Sequence, residues 1–169
     1  YASAGVGSTP HLCTELIKSM TGIDILHVPY KGGAPAMIDT VAGHAQANCT
    51  SVTNAAPLIK QGRIRAIGLT PIKRSPVLPD VPTLAEQGLS SFDVSQWMGI
   101  LAPAKTPQPV IERLHKAIAH VVNSPEYSKF IRDQGGEPAL MTPDEYTTLM
   151  KVEMERWGKL VKAMKVTAE

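Results

Sequence analysis

Residues 3–12 read SAGVGSTPHL, and the rest of the chain is organised around this stretch. It has the pattern of a strand end, a turn loosened by Gly5 and Gly7, and the first turn of a helix. Thr9 is a suitable N-cap, and Pro10 occupies a helical position where a missing N–H has no cost. Backbone N–H groups, two hydroxyl groups and the positive end of a helix dipole should converge here, which favours the binding of an anion.

The loop matches no nucleotide-binding signature. No Gly-Lys-Ser/Thr follows it at P-loop spacing, and Pro10 occupies the third glycine position of the dinucleotide fingerprint. Taken alone, the loop slightly favours an ordinary strand-to-helix turn, an element of every α/β protein. The argument for an anion site needs its neighbours in the chain.

Those neighbours share the same character. Apolar runs at residues 1–3, 23–28, 45–50 and 64–69 alternate with helical patterns, which predicts parallel βαβ units of an α/β fold. The helices are expected to begin at Thr9, near Pro35 and near Asn54. Because parallel strands end at one edge of a sheet, the small, hydroxylated or glycine-rich residues after the first three strands should meet there. The candidate ligand-binding residues are Ser3, Gly5, Gly7, Ser8, Thr9, Tyr30, Lys31, Gly32, Thr50 and Ser51.

The last third of the chain has a different pattern. Residues 92–102 predict a strand, and three amphipathic helices should follow, capped by Thr106, Ser124 and Thr142. A capping box at Thr83–Glu86 predicts a further short helix ending at Gly88. The helical stripes Val110–Val122 and Tyr146–Met164 have too few strands to cover them. We therefore expect an α/β unit over residues 1–95 and an incomplete second unit over residues 96–169.

Composition excludes several classes of function. The 169 residues are 43% hydrophobic and 19% charged with a net charge of +2, which predicts a globular protein with no nucleic-acid partner. No run is long enough to span a membrane, and no signal peptide opens the chain, which starts in mid-strand like a piece of something longer. Cys13 and Cys49 suggest two buried free thiols; a bridge would require the first helix to pack beside the strand ending at Thr50. No pattern indicates a catalytic group, a metal site or a cofactor.

Five longer motifs carry a family resemblance. They are YASAGVGSTPHL at 1–12, HVPYKGG at 27–33, AAPLIKQGRIRA at 55–66, KRSPVLPDVPT at 73–83 and WMGILAPA at 97–104. Together they resemble the Bug-type solute-binding proteins of tripartite tricarboxylate transporters, over essentially the whole chain.

The resemblance implies a periplasmic-binding-protein type II fold whose two lobes close on a small carboxylate and deliver it to membrane transporter subunits. Family chains are nearly twice as long, and this one is similar to their second half, with a hinge crossing near residues 93–97. A homodimer or the missing N-terminal lobe would cover the exposed helices. Loop 5–9 would hold a ligand carboxylate and Tyr30–Gly32 would form a second wall. Many members have Phe-Asp where this chain has Cys49-Thr50, so the resemblance does not identify the acid.

Two other classes of function stay open from the sequence. A small α/β enzyme could use the Ser8–Thr9 loop as an anion cradle, although no third group orients Ser8 with His11 or Cys49 with His27. A protein-interaction module would explain the exposed apolar helices. Among single residues, His11 and Lys31 are expected to be solvated, Trp97 to pack rather than stack on a ligand, and Tyr30 equally to face the cleft or to close the strand.

Overall fold

A computed structural model of the chain describes residues 1–163. Its elements are β1 (Ala2–Ser3), α1 (Thr9–Thr21), β2 (Val28–Pro29), α2 (Gly33–Val41), α3 (Val52–Lys60), α4 (Gln108–Val122), α5 (Pro125–Asp133) and α6 (Pro143–Ala163). Two compact units are distinguished among the described residues: 1–96 together with 157–163, and 97–156. The order of parallel strands and helices confirms the α/β class.

The sheet is smaller than the apolar runs predict. β1 and β2 pair in parallel, with Ala2 opposite Val28, and the predicted strands at 45–50 and 64–69 are reduced to single bridges, Ala2 to Asn48 and Leu69 to Thr83. The predicted strand at 92–102 is wrong for the described chain. An extended run becomes a strand only where a neighbouring segment continues its ladder of hydrogen bonds. Met98 and Ile100 are instead 88% and 73% exposed.

The helix ends follow local chemistry closely. Gly22, at φ 72°, ends α1 as predicted, because a left-handed residue suits a helix C-terminus. Ser124 caps α5 by accepting a hydrogen bond from the N–H of Tyr127. Thr142 and Glu145 exchange hydrogen bonds of 2.8 and 3.2 Å in the predicted capping box of α6. Met164, the last residue of the predicted stripe on α6, lies outside the described residues.

Two predicted caps and one predicted helix need correction. Ser8, not Thr9, is the N-cap of α1, and Pro107, without a side-chain hydrogen bond, stands at the cap position of α4 instead of Thr106. Thr83 and Glu86 do form their capping box, but the residues after them make turns rather than a helix. A cap satisfies exposed N–H groups without supplying the apolar contacts that keep a short helix folded.

Two small apolar clusters form the core of the first unit. Ala2, Ala36 and Ala45 are buried together against Tyr30. In the second cluster Cys13, Phe92 and Val94 are at most 2% exposed. Half-buried side chains surround that second cluster: Leu16, Ile17, Cys49, Leu84, Leu89 and Trp157.

The two cysteines are free thiols, as expected. Cys13 on α1 is fully buried, whereas Cys49 is half-buried rather than buried. Cys49 packs against the cluster that contains Cys13. The neighbouring Cys49 thiol, together with burial, raises the pKa of Cys13, and the Cys13 thiol lowers the pKa of Cys49. Helix α1 therefore packs beside the segment that ends at Thr50. Within residues 1–163, none of the helices combines the length and apolar character needed to cross a membrane.

Candidate ligand-binding site

Three neighbouring backbone segments bring the predicted loops to one edge. Ala2 pairs with Val28 on one side and with Asn48 on the other, both in parallel. The loops after these segments, residues 4–8, 30–32 and 49–51, therefore leave the same edge. Helices α1, α2 and α3 begin directly after them. Three helix N-termini, each with unpaired N–H groups, thus start beside one another.

The first loop, residues 4–8, depends on its glycines and on Ser8. Gly5 has φ 125°, and a Cβ there would lie 3.2 Å from the carbonyl oxygen of Tyr30. Gly7 has φ 76°, which side-chain-bearing residues seldom adopt. The Ser8 hydroxyl donates to the Gly5 carbonyl at 2.6 Å and accepts from the N–H of His11 at 3.4 Å. Ser8 therefore both closes the loop and caps α1.

The sequence led us to expect that the N–H groups of the loop glycines would be free to bind a ligand. In the structure both are already engaged. The Gly5 N–H donates to the Ser3 hydroxyl at 3.1 Å, and the Gly7 N–H donates to Nδ1 of His11 at 3.0 Å. Ser3 is itself fully buried. The N–H groups of Val6 and Thr9 and the Thr9 hydroxyl, in contrast, donate to no described residue. These three donors, which lie at the start of α1, are available to an anion.

The second loop, residues 30–32, is bonded to the first. The Gly32 N–H donates to the Ala4 carbonyl at 3.2 Å, and Gly32, at φ 113°, leads into α2. The Tyr30 hydroxyl donates to Asp39 at 2.7 Å, a bond that lowers the pKa of Asp39 and raises that of Tyr30. Tyr30 thus closes the strand with its hydroxyl already engaged. Lys31 is exposed, as expected, and has no acidic partner within residues 1–163.

The third loop, residues 49–51, is placed at the edge by a backbone hydrogen bond of the segment before it. The Ala2 N–H donates to the Ala47 carbonyl at 2.8 Å, two residues before Cys49. Ser51 caps α3 by accepting from the N–H of Asn54 at 3.3 Å. Thr50 is half-buried, and in the described part of the chain no hydrogen bond joins this loop to the first one.

Sequence reasoning missed the residues that support the first loop. His11, expected to be solvated, is only 6% exposed, and its ring stacks on that of His27 at 4.1 Å. Tyr1 stacks on the other face of His27 at 4.9 Å and donates to Glu15 at 2.6 Å. The one available signal was that His11 lies a single helical turn after Gly7. No cluster of three potential metal ligands occurs among residues 1–163.

A scan against protein-family profiles matches residues 1–166 to the tripartite tricarboxylate transporter family receptor, TctC. The chain belongs to this family. The match covers nearly the whole chain, and it confirms the resemblance drawn from the five motifs.

The curated relatives of the chain include a Bug protein and several UPF0065 proteins. A UPF0065 protein of Pseudomonas sp. strain P51 is 39% identical over 169 residues, which are 99% of this chain and 50% of that protein. Protein BugT of Bordetella pertussis is 33% identical over 162 residues, 96% of this chain and 50% of its own length. The chain thus spans about half the length of these relatives. A UPF0065 protein of Pseudomonas knackmussii is 35% identical over 159 residues, which are 94% of this chain and 94% of that protein.

Solved structures agree on the fold. A Rhodopseudomonas palustris protein, Rpa4515 with adipate, superposes with a TM-score of 0.93 at 34% identity, over 99% of this chain and 56% of that one. The periplasmic binding protein BugD gives 0.91 at 33% identity, with 99% and 57% covered. MatC from R. palustris with bound malate gives 0.82 at 30% identity, with 95% and 55% covered. The chain therefore has the fold of the matching part of periplasmic binding proteins of the TctC type.

Proposed function

We propose that the chain supplies one ligand-binding lobe of a periplasmic receptor that binds a small carboxylate and delivers it to a tripartite tricarboxylate-type membrane transporter. The observation that carries the proposal is the set of unengaged donors at the start of α1: the N–H groups of Val6 and Thr9 and the Thr9 hydroxyl. They lie at the positive end of a 13-residue helix, where a negative charge is stabilised. The neighbours with adipate and with malate support a carboxylate rather than another anion.

Each candidate residue has a distinct part in this proposal. Thr9 contacts the carboxylate, while Ser3, Gly5, Gly7 and Ser8 shape the loop around it. Tyr30 and Gly32 form the adjacent wall. Lys31 adds a positive charge at its rim, and Thr50 and Ser51 complete the site from the third loop. The acid that is selected depends on Thr50, because a carboxylate at that position would repel a second ligand carboxylate.

The domain division remains part of the proposal. Residues 1–95 would form the ligand-binding lobe, and residues 96–169 would cross to a second lobe whose first half this chain does not contain. Large apolar side chains of the second unit are exposed, with Leu101 at 67% and Phe130 at 60%. A missing first lobe or a second copy of the chain would cover such surface. Sedimentation of the isolated chain at rising concentration should therefore reveal association.

Binding without turnover is the expected activity. The full-length receptor should bind adipate or malate saturably in calorimetry, and the ligand should be recovered unchanged by chromatography. The uncharged diamide of adipate should not bind, because it lacks the negative charge that the helix N-terminus stabilises. Release of a chemically altered product would favour the enzyme alternative instead.

A matched pair of variants tests the site. Thr9→Val keeps the shape of the side chain but removes the hydroxyl at the first residue of α1, whereas Thr21→Val makes the same change at its last residue. Loss of a hydrogen bond to a charged ligand should weaken binding by about 1.5–3 kcal/mol in Thr9→Val. Thr21→Val should bind like the parent. Equal affinities in both variants would exclude the Thr9 contact.

A further inference from the structure

The described residues contain a stack of three rings directly beneath the first loop. The His11 and His27 rings are nearly parallel, with centroids 4.1 Å apart and an interplanar angle of 13°. Tyr1 lies against His27 with an angle of 20°. These rings come from α1, from the segment before β2 and from the residue before β1. The stack therefore ties together the elements between which the loop is held.

Each histidine is connected to one glycine of the loop. The Gly7 N–H donates to Nδ1 of His11, so Nδ1 must carry a lone pair and no proton. Nε2 of His27 lies 2.6 Å from the Ser3 hydroxyl, which in turn accepts from the Gly5 N–H at 3.1 Å. The bond to Ser3 survives protonation of His27, because Nε2–H can donate to the hydroxyl. The bond from Gly7 does not survive protonation of His11.

The charged and titratable groups around the stack are few. Helix α1 contributes Glu15 and Lys18, and Tyr1, the residue before β1, contributes its hydroxyl. Burial is the largest influence and lowers the pKa of both histidines, and Lys18 lowers both further, against an opposing effect of Glu15. Glu15 is itself held by hydrogen bonds from Tyr1 and Lys18, and its pKa is lowered, so it stays ionised at neutral pH. Two adjacent rings at 4.1 Å also disfavour a charge on either one.

We propose that His11 and His27 are positioning residues for ligand binding, whose neutral stacked rings hold Gly5 and Gly7 in the loop shape that presents the Val6 and Thr9 donors to the carboxylate. This inference rests on the proposed function. It goes beyond the proposed function, which assigns no role to either histidine, because it gives both a role without contact to the ligand. The two roles that a histidine could have predict opposite changes of ligand affinity on protonation. A histidine in contact with a carboxylate would bind it more tightly once protonated, whereas a positioning histidine that loses its bond to Gly7 weakens binding.

The first experiment needs no ligand. In the 15N-labelled full-length receptor, the Gly7 amide resonance should shift on acidification with the same midpoint as the His11 ring protons, below the ordinary histidine pKa of 6.5. In His11→Asn the Asn Oδ1 keeps an acceptor near the position of Nδ1 but does not titrate, so the Gly7 shift should become flat. A Gly7 amide shift that does not follow the titration of His11 would overturn the proposal, whether or not carboxylates bind.

The second experiment measures adipate affinity from about pH 7.5, above the ordinary histidine pKa, down to a pH below the His11 midpoint found in the first experiment. His11→Asn should match the parent within about threefold at the upper end, and the parent should lose about fivefold relative to it at the lower end, as expected for one hydrogen bond. The ratio of the two proteins removes the titration of adipate itself. If the parent gains affinity relative to His11→Asn, His11 contacts the ligand and the proposal fails.

The two experiments separate this inference from the proposed function. If Gly7 and His11 titrate together in a receptor that binds no carboxylate, the positioning role of His11 is supported and the proposed carboxylate ligand is rejected. His11→Leu removes the acceptor at every pH and should weaken adipate binding throughout the range. Full affinity in His11→Leu would show that the bond to Gly7 does not shape the site.

Discussion

The N–H of Gly32 donates a hydrogen bond of 3.2 Å to the carbonyl of Ala4. This bond joins the loop that leads into α2 to the loop that leads into α1. With the Tyr30 carbonyl lying close to Gly5, it leaves no room for a side chain at Gly5 without a shift of the backbone. The two loops therefore form one surface, and a change in either is expected to alter the donors of the other.

Gly7→Ala should weaken carboxylate binding about tenfold, because a side chain at positive φ forces the loop out of its shape. Gly22→Ala is a matched control at the opposite end of α1: the two glycines have φ values of 76° and 72°, and a Cβ at either would contact nothing within 4 Å. Both variants should lose a similar stability of about 1–2 kcal/mol in urea titrations. Calorimetry should show the loss of affinity only in Gly7→Ala. An equal loss in Gly22→Ala would attribute the effect to general destabilisation.

Thr50→Asp should shift selectivity from dicarboxylates toward ligands with a single negative charge. A carboxylate at the end of the third segment would repel a second ligand carboxylate or take up a proton, whichever costs less free energy. Thr50→Asn has a similar size without the charge and is the control. Affinities for adipate, malate and a monocarboxylate should change order only in Thr50→Asp. The same order in all three proteins would remove Thr50 from the site.

Stability should decrease on acidification below about pH 6.5, the ordinary histidine pKa. The unfolded chain binds protons there, while burial lowers the pKa of His11 and His27 in the folded chain. Stability is therefore fully present above that pH and is lost as the pH falls from it toward the lowered folded pKa. Glu15 and Asp39 act in a separate window, below their ordinary values of 4.5 and 3.8.

Urea midpoints measured across this range test the effect. His11→Asn should show a shallower dependence on pH than the parent, because one of the two titrating rings is gone. Superimposable curves for the two proteins would mean that His11 titrates alike in the folded and unfolded chain.

Phe92→Ala should destabilise the first unit by about 3–5 kcal/mol, since it opens a cavity in a packed cluster. Phe92 is 1% exposed beside Cys13 and Val94. Phe130→Ala deletes the same atoms from a side chain that is 60% exposed and should cost less than about 1 kcal/mol. Urea unfolding monitored by far-UV circular dichroism compares the two. Similar losses would show that Phe92 is not a principal residue of the core.

Features that depend on a few consecutive residues were predictable from the sequence. The glycine loop, the end of α1 at Gly22 and the capping box at Thr142 and Glu145 are where the local patterns placed them. The five motifs were enough to indicate the family. A helix cap or a left-handed glycine forms its hydrogen bonds with residues three or four positions away, so the adjacent sequence is enough to identify its partners.

The tertiary structure alone determined how the loop donors are used. The N–H groups of Gly5 and Gly7 are engaged by Ser3 and His11, whereas those of Val6 and Thr9 stay available to a ligand. The stacking of His27 beneath His11 requires β1 and β2 to pair and α1 to pack against β1. Which donor meets which acceptor depends on segments that are distant in sequence, and their approach is set by burial and packing over the whole unit rather than by any local pattern.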